Sequence, residues 1–173
     1  MRLSPRGFDI IAELKLRSPA QGQLGVASDD WLARVRHYAE GGAAAVSVLT
    51  EPTRFDGHLD HLRQAAAALA PLQVPAMRKD FLVDAYQVYE ARAAGAGGVL
   101  VILRMLGHDA VIELLDTAAE LGLFVLLEAF DRADLDAATE IAARRSGRDE
   151  TVLIGINSRD LQTLQVVPSR LGE

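Results

Sequence analysis

Two lysines and two glutamates stand where proton transfer could be done. In Ile11-Ala12-Glu13-Leu14-Lys15 an extended backbone sends successive side chains to opposite faces, so Ala12 and Leu14 share one face and Glu13 and Lys15 the other. A carboxylate beside an ammonium suits general acid–base work, and such groups are seldom buried without a task. A structural ion pair is the plainer alternative. Lys79, in Met77-Arg78-Lys79-Asp80-Phe81, is a second lysine that would help to hold an anionic substrate and could serve as general acid. Its plainer alternative is a pair with Asp80 in a solvated loop. Glu128 closes the otherwise apolar run Phe124-Val125-Leu126-Leu127-Glu128 and is a candidate acid or base.

Asn157 and Arg159, in Gly155-Ile156-Asn157-Ser158-Arg159, combine a neutral hydrogen-bonding group with a planar fork suited to carboxylates. A turn-forming Asn with a solvated Arg is the alternative. Ser18-Pro19, with Gly22 and Gly25, forms a segment long enough to close over a site, or an ordinary connector. His37, His58, His61 and His108 share no ligand spacing on one element, so neither a metal site nor a Ser/His/Asp triad is expected.

These groups need elements that bring them together. Short apolar runs at 10–14, 45–49, 76–77, 98–103, 124–127 and 152–156 look like strands buried on both faces. Segments of helical period at 31–40, 59–69, 86–94, 111–121 and 135–143 lie between them. Gly41-Gly42, Gly95 and Gly122 follow helical segments where a left-handed cap is wanted. Continuous βα alternation without a hairpin signal implies a parallel sheet, rolled into a barrel or open and doubly wound. Periodicity does not choose between the two, but the polar residues do. They fall at or just past strand ends, which in a barrel converge on one mouth. No glycine-rich phosphate loop of an open sheet is present. The charged stretch 144–150 is expected to be a solvated loop on the face away from that mouth.

The 173 residues, half of them hydrophobic, with a net charge of −6, suffice for one domain over 1–173. No basic cluster longer than a pair supports nucleic-acid binding, and no apolar run approaches the roughly 20 residues of a membrane span. With no cysteine and no signal peptide at the N-terminus, a cytoplasmic protein acting on small molecules is expected.

The motifs together resemble one family. IAELKLRSPAQG, AVSVLTEPTRFDGHLDHL, MRKDFLVDAYQVYEARAAGA, LLEAF and IGINSRDLQTL are similar, in this order, to the first, second, third, fifth and sixth strand regions of indole-3-glycerol phosphate synthases. Leu16 and Ala20 depart from it, standing where the family usually has polar residues. The resemblance implies an α/β fold of parallel (β/α) TIM-barrel type. It also implies closure of the indole ring of 1-(2-carboxyphenylamino)-1-deoxyribulose 5-phosphate, with loss of carbon dioxide and water and no cofactor.

Carried over by motif, Lys79 is the general acid at the sugar carbonyl. Lys15 pairs with the substrate's anionic groups and is a candidate for the later proton transfer. Glu13 and Glu128 orient the lysines and serve as base or acid in the dehydration. Asn157 and Arg159 position the anthranilate end, Phe55, Leu100 and Leu161 wall the aromatic ring, and Ser18 is a phosphate-side contact. The family continues beyond the sixth unit with two more βα units that hold the phosphate, and precedes the first strand with an extra helix. An incomplete barrel of about six units is therefore expected. Its open sheet edges call for a second copy or a complementing segment. A related phosphosugar isomerase, and a non-catalytic fragment acting as a binding or assembly module, are the competing readings.

Overall fold

Runs that are apolar on both faces need cover on both, and a parallel sheet wrapped in helices supplies it. The computed structural model describes residues 3–4, 7–19, 22–24, 30–159 and 165–168. Its main sheet consists of β1 (Ile11–Leu14), β4 (Ala45–Leu49), β5 (Ala76–Lys79), β6 (Gly98–Ile102), β7 (Phe124–Ala129) and β8 (Val152–Ile156). A separate antiparallel ribbon, β2 (Arg17–Ser18) with β3 (Gly22–Gln23), follows β1. The helices are α1 (Trp31–Glu40), α2 (Pro52–Phe55), α3 (Leu59–Leu69), α4 (Ala85–Ala93), α5 (His108–Glu120) and α6 (Arg132–Arg144). Sheet order is β1-β4-β5-β6-β7-β8, all parallel. A sheet whose order never reverses curls one way, and among the described residues this one forms an incomplete TIM-type barrel of five βα units and a sixth strand.

α1 and α3 occupy the span their periodicity predicts. α4 and α6 start ahead of their apolar pattern because caps set the first turn: Asp84 accepts from the Tyr86 amide within a capping box with Gln87, and Asp131 accepts from the Asp134 amide. Periodicity gave no sign of the β2–β3 ribbon or of α2, elements too short to show one. Among the expected caps Gly42 turns left-handed, at φ 93°, while Gly41 stays right-handed.

Alternation sorts each strand into two faces. Leu14, Val46, Val48, Val99, Val101, Val125 and Leu127 point outward into the main core with Leu62, Leu69, Val88, Leu115 and Ile141 of the helices. Ile11, Ala45, Met77, Phe124, Leu126 and Leu153 gather in a second cluster, which plugs the inside of the curl. Gly98 belongs to that plug, for a Cβ on it would stand 2.4 Å from the Phe124 ring. Further along the same inward rows the side chains become Glu13, Lys79 and Glu128. Among the described residues no helix is long and apolar enough to cross a membrane.

The stretch 144–150 is only partly the solvated loop its composition suggests. Arg145 and Glu150 have side chains 4% and 5% exposed. Arg145 donates from Nε and Nη2 to the two Glu150 oxygens at 2.8 and 2.7 Å, and from Nη1 to Asp116 at 2.7 Å. Charge composition gives no sign that two opposite charges in one loop fold back on each other. The fork ties the chain entering β8 to α5 and α6. Arg145→Ala leaves the Glu150 carboxylate buried without its partner and is expected to cost about 3 kcal/mol of folding stability. Urea unfolding measures it, and a loss below about 1 kcal/mol contradicts the role.

Candidate active site

Because the strands are parallel, groups at their C-terminal ends meet at one edge. A cavity of about 640 Å³ opens there, lined by Glu13, Lys15, Ser18, Phe55, Lys79, Leu100, Glu128, Asn157 and Arg159, all singled out from the sequence. Leu161, Ala20 and Gly25 lie outside the described residues. Leu16 packs against the main core, which suits an apolar residue at that position.

The charged groups form one connected set. Lys15 Nζ donates to Glu13 Oε1 at 2.7 Å. Lys79 Nζ stands 3.5 Å from Glu13 Oε2 and 3.8 Å from Glu128 Oε1. Lys79 therefore lies between two carboxylates carried by β1 and β7, strands separated in the sheet by β4, β5 and β6. An ammonium held between two acids can give up a proton and recover one without leaving its place. Asn157 lines the cavity and also shapes the turn after β8, its Oδ1 accepting from the Arg159 amide at 2.9 Å.

Asp80 does not take Lys79. Its Oδ2 accepts from Arg78 Nη2 at 3.0 Å and from the Thr50 hydroxyl at 2.6 Å, while Oδ1 accepts from the Phe81 amide at 2.9 Å. Arg78, buried on the helix side of β5, also donates to the Gln87 carbonyl at 2.8 Å. The backbone on both sides of Lys79 is thereby fastened from the outer face, and the ammonium is left to the cavity.

Leu49, Glu51, Arg54, Asp80, Phe81 and Ile102 also line the cavity, and sequence reasoning had not selected them. Leu49 and Ile102 were findable by the period-two rule, being in step with Ser47 and Leu100. Glu51 had the signal of an acceptor directly before a proline. Its carboxylate accepts from the Thr53 and Arg54 amides at 2.9 and 2.7 Å and caps α2. Phe81 and Arg54 owe their places to the loop after β5 and to α2, which carry no periodic signal. Apolar residues Leu49, Phe55, Phe81, Leu100 and Ile102 make one part of the wall, and charged or polar ones the rest.

Burial pushes the Glu13 carboxyl up, and the Lys79 charge, followed by the Lys15 hydrogen bond and charge, more than offsets it, so the group lies below its ordinary value. A lowered carboxylate contributes stability that is present above its unfolded pKa and is lost as pH falls through the folded one. Lys79→Met removes the largest opposing influence. Glu13 should then titrate at higher pH than in the parent chain, and acid unfolding should also begin at higher pH. Carboxyl-carbon NMR titration reads the shift directly, and an unmoved Glu13 would contradict the coupling.

Comparison with known proteins places the chain. The sequence model described as Indole-3-glycerol phosphate synthase matches residues 1–172. Relatives of that name include one from Nocardioides sp., 44% identical over 96% of this chain and 59% of its own length. Others come from Kineococcus radiotolerans, 40% identical over 93% and 54%, and from Salinibacter ruber, 40% identical over 95% and 57%. The chain thus spans little more than half the length of these relatives. Among solved structures, a complete multifunctional pyruvate carboxylase from Rhizobium etli aligns with a TM-score of 0.54 at 20% identity, over 82% of this chain and 15% of that one. That likeness concerns fold alone. By its sequence, from one end of the match to the other, the chain belongs to the indole-3-glycerol phosphate synthase family.

Proposed function

We propose that this chain carries the proton-transfer half of an indole-3-glycerol phosphate synthase, a carboxy-lyase of tryptophan biosynthesis. Its substrate would be 1-(2-carboxyphenylamino)-1-deoxyribulose 5-phosphate. The observation that supports this most is Lys79 standing within 4 Å of both Glu13 and Glu128 at the floor of a cavity with one apolar and one charged part. A substrate with an aromatic body and two anionic ends matches that division.

In the proposed reaction the ring carbon that bears the carboxylate bonds to the sugar carbonyl carbon. Lys79 gives its proton to the carbonyl oxygen as the pair of electrons moves there. Loss of carbon dioxide returns electrons to the ring. The new hydroxyl then leaves as water, one of the glutamates supplying its proton and the other accepting the proton lost from the five-membered ring. Lys15, tied to Glu13, meets an anionic group of the substrate, and Ser18 lies on the phosphate side. Asn157 and Arg159 position the anthranilate end, and Phe55, Leu100 and Leu161 wall it. No cofactor enters. A cytoplasmic location goes with this reading, supported by a chain without cysteine.

The edges of the sheet bear on partners. Among the described residues β1 and β8 each pair on one side only, and Ile154 and Ile156 of β8 are exposed. We propose that these edges are covered by further βα units or by a second copy of the chain. At micromolar concentration the chain alone should sediment as an associated species, and adding the C-terminal βα units of the Nocardioides relative should disperse it. A stable monomer in both cases would refute this.

Formation of indoleglycerol phosphate, followed by its fluorescence, tests the reaction. The chain alone should turn over weakly or not at all, with kcat/KM below about 10⁴ M⁻¹s⁻¹. A hybrid with those C-terminal units should be active, and Lys79→Ala in it should lower kcat by about 10²- to 10⁴-fold. A hybrid variant that keeps most of its kcat would move the general acid to Lys15.

A further inference from the structure

Of the two acids beside Lys79, Glu13 accepts a hydrogen bond from Lys15, whereas Glu128 has none among the described residues. Its contact with Lys79 is an ion pair at 3.8 Å, made from the cavity wall. A carboxylate that no donor holds takes its direction from its strand. Glu128 stands opposite Ile102, the last register pair of β6 and β7. Whatever fixes the two strand ends just beyond that pair therefore fixes where the carboxylate points.

Two residues further along each strand, Arg104 and Phe130 meet. The guanidinium carbon lies over the Phe130 ring, 4.7 Å from its centroid, within the range of a cation–π contact. The ring itself is fully buried and packs with Leu100 and Ile102 of β6. From the ring the guanidinium forks to α6. Its Nε and Nη2 donate to Asp134 Oδ2 at 2.9 and 2.7 Å, and Nη2 donates to Asp131 as well. The same Asp134 oxygen accepts from the Phe130 amide at 2.9 Å, while Asp131, the cap of α6, accepts from the Asp134 amide at 3.0 Å. One side chain thus joins the end of β6, the end of β7 and the first turn of α6.

We propose that Arg104 is a positioning residue for Glu128: by lying on Phe130 and forking to Asp134 it holds the end of β7 where the carboxylate reaches Lys79. Both halves of the guanidinium are needed, the flat face for the ring and the fork for the carboxylates. A lysine supplies the charge and lacks the plane. The effect on rate rests on the proposed reaction, in which Glu128 exchanges a proton with the substrate. The effect on the Lys79–Glu128 contact does not, and it is read without turnover.

Carboxyl-carbon NMR at one fixed pH tests that contact, the Glu13 and Glu128 resonances being assigned by their loss in the glutamine variants. In the parent chain Lys79→Met should shift both resonances. In an Arg104→Met background the Glu128 response to Lys79→Met should be lost and the Glu13 response kept. A Glu128 response equal to the parent's overturns the proposal. So does the loss of both responses together, which would make Arg104 a support of the whole sheet. Arg104→Lys serves if the Met variant does not fold, and should likewise keep the Glu13 response and lose that of Glu128. In the hybrid with the C-terminal units of the Nocardioides relative, Arg104→Met should lower kcat about ten- to a hundredfold with KM unmoved, and an unchanged kcat also overturns the positioning. An inactive parent hybrid counts against the ring-closure reading alone, and the resonances then decide the role of Arg104.

Discussion

An ammonium that enters the inside of a barrel must find its counter-charge there, because leaving water costs several kcal/mol per ion and only a well-placed partner offsets it. Lys79 sits beyond a plug of Met77, Phe124, Leu126 and Leu153, and its neighbours of opposite charge come from two other strands. The register of the sheet is bound to this requirement. Glu13 stands opposite Ser47 and Lys79 opposite Leu49. Slipping β1 by one residue would turn Glu13 into the helix layer and bring Leu14 to Lys79. The alternation that packs Leu14, Val46 and Val48 against the helices is thus the same alternation that neutralises the site.

Two acids in the cavity wall serve the backbone and not the cavity. Asp80 gathers Arg78, Thr50 and the Phe81 amide, and Glu51 caps α2. Gln87 completes the loop after β5 by accepting from the Val83 amide at 2.7 Å. Hydrogen bonds to the ionised form hold the Glu51 carboxyl below its ordinary value in spite of burial, which alone would raise it. A carboxylate so occupied is a poor base. That leaves Glu13 and Glu128, which face Lys79, as the acids open to the cavity.

Much of this could be read from the chain alone, for reasons that also explain what could not. Strands and helices with a repeating apolar pattern announce themselves, as β4, α1 and α3 did, and a charged residue closing such a strand marks the mouth, as Glu13, Lys79 and Glu128 did. The alternative partner for Lys79 was wrong because adjacent residues of a strand face opposite ways, and Asp80 follows Arg78 to the outer side. α2 and the β2–β3 ribbon hold too few residues to show a period. With α2 went Arg54, whose place depends on a capped turn and not on any spacing. The Arg145–Glu150 fork stayed hidden because composition alone made 144–150 a solvated loop, and only the folded chain shows those two charges paired and buried.

Glu13 has one further dependence. It lies on β1, which among the described residues pairs in the sheet with β4 alone, and the residues before it, Phe8 and Ile10, are exposed. Edge strands open more readily than central ones, since half of their backbone groups have no partner in the sheet. Lys79 and Glu128, on β5 and β7, have strands on both sides. Of Glu13, Lys79 and Glu128, the one that touches both lysines is therefore the least firmly held. Whatever pairs with the free side of β1 also steadies Glu13. Covering that edge and fixing the acid between Lys15 and Lys79 are then one event, because the strand that is steadied is the strand that carries the carboxylate.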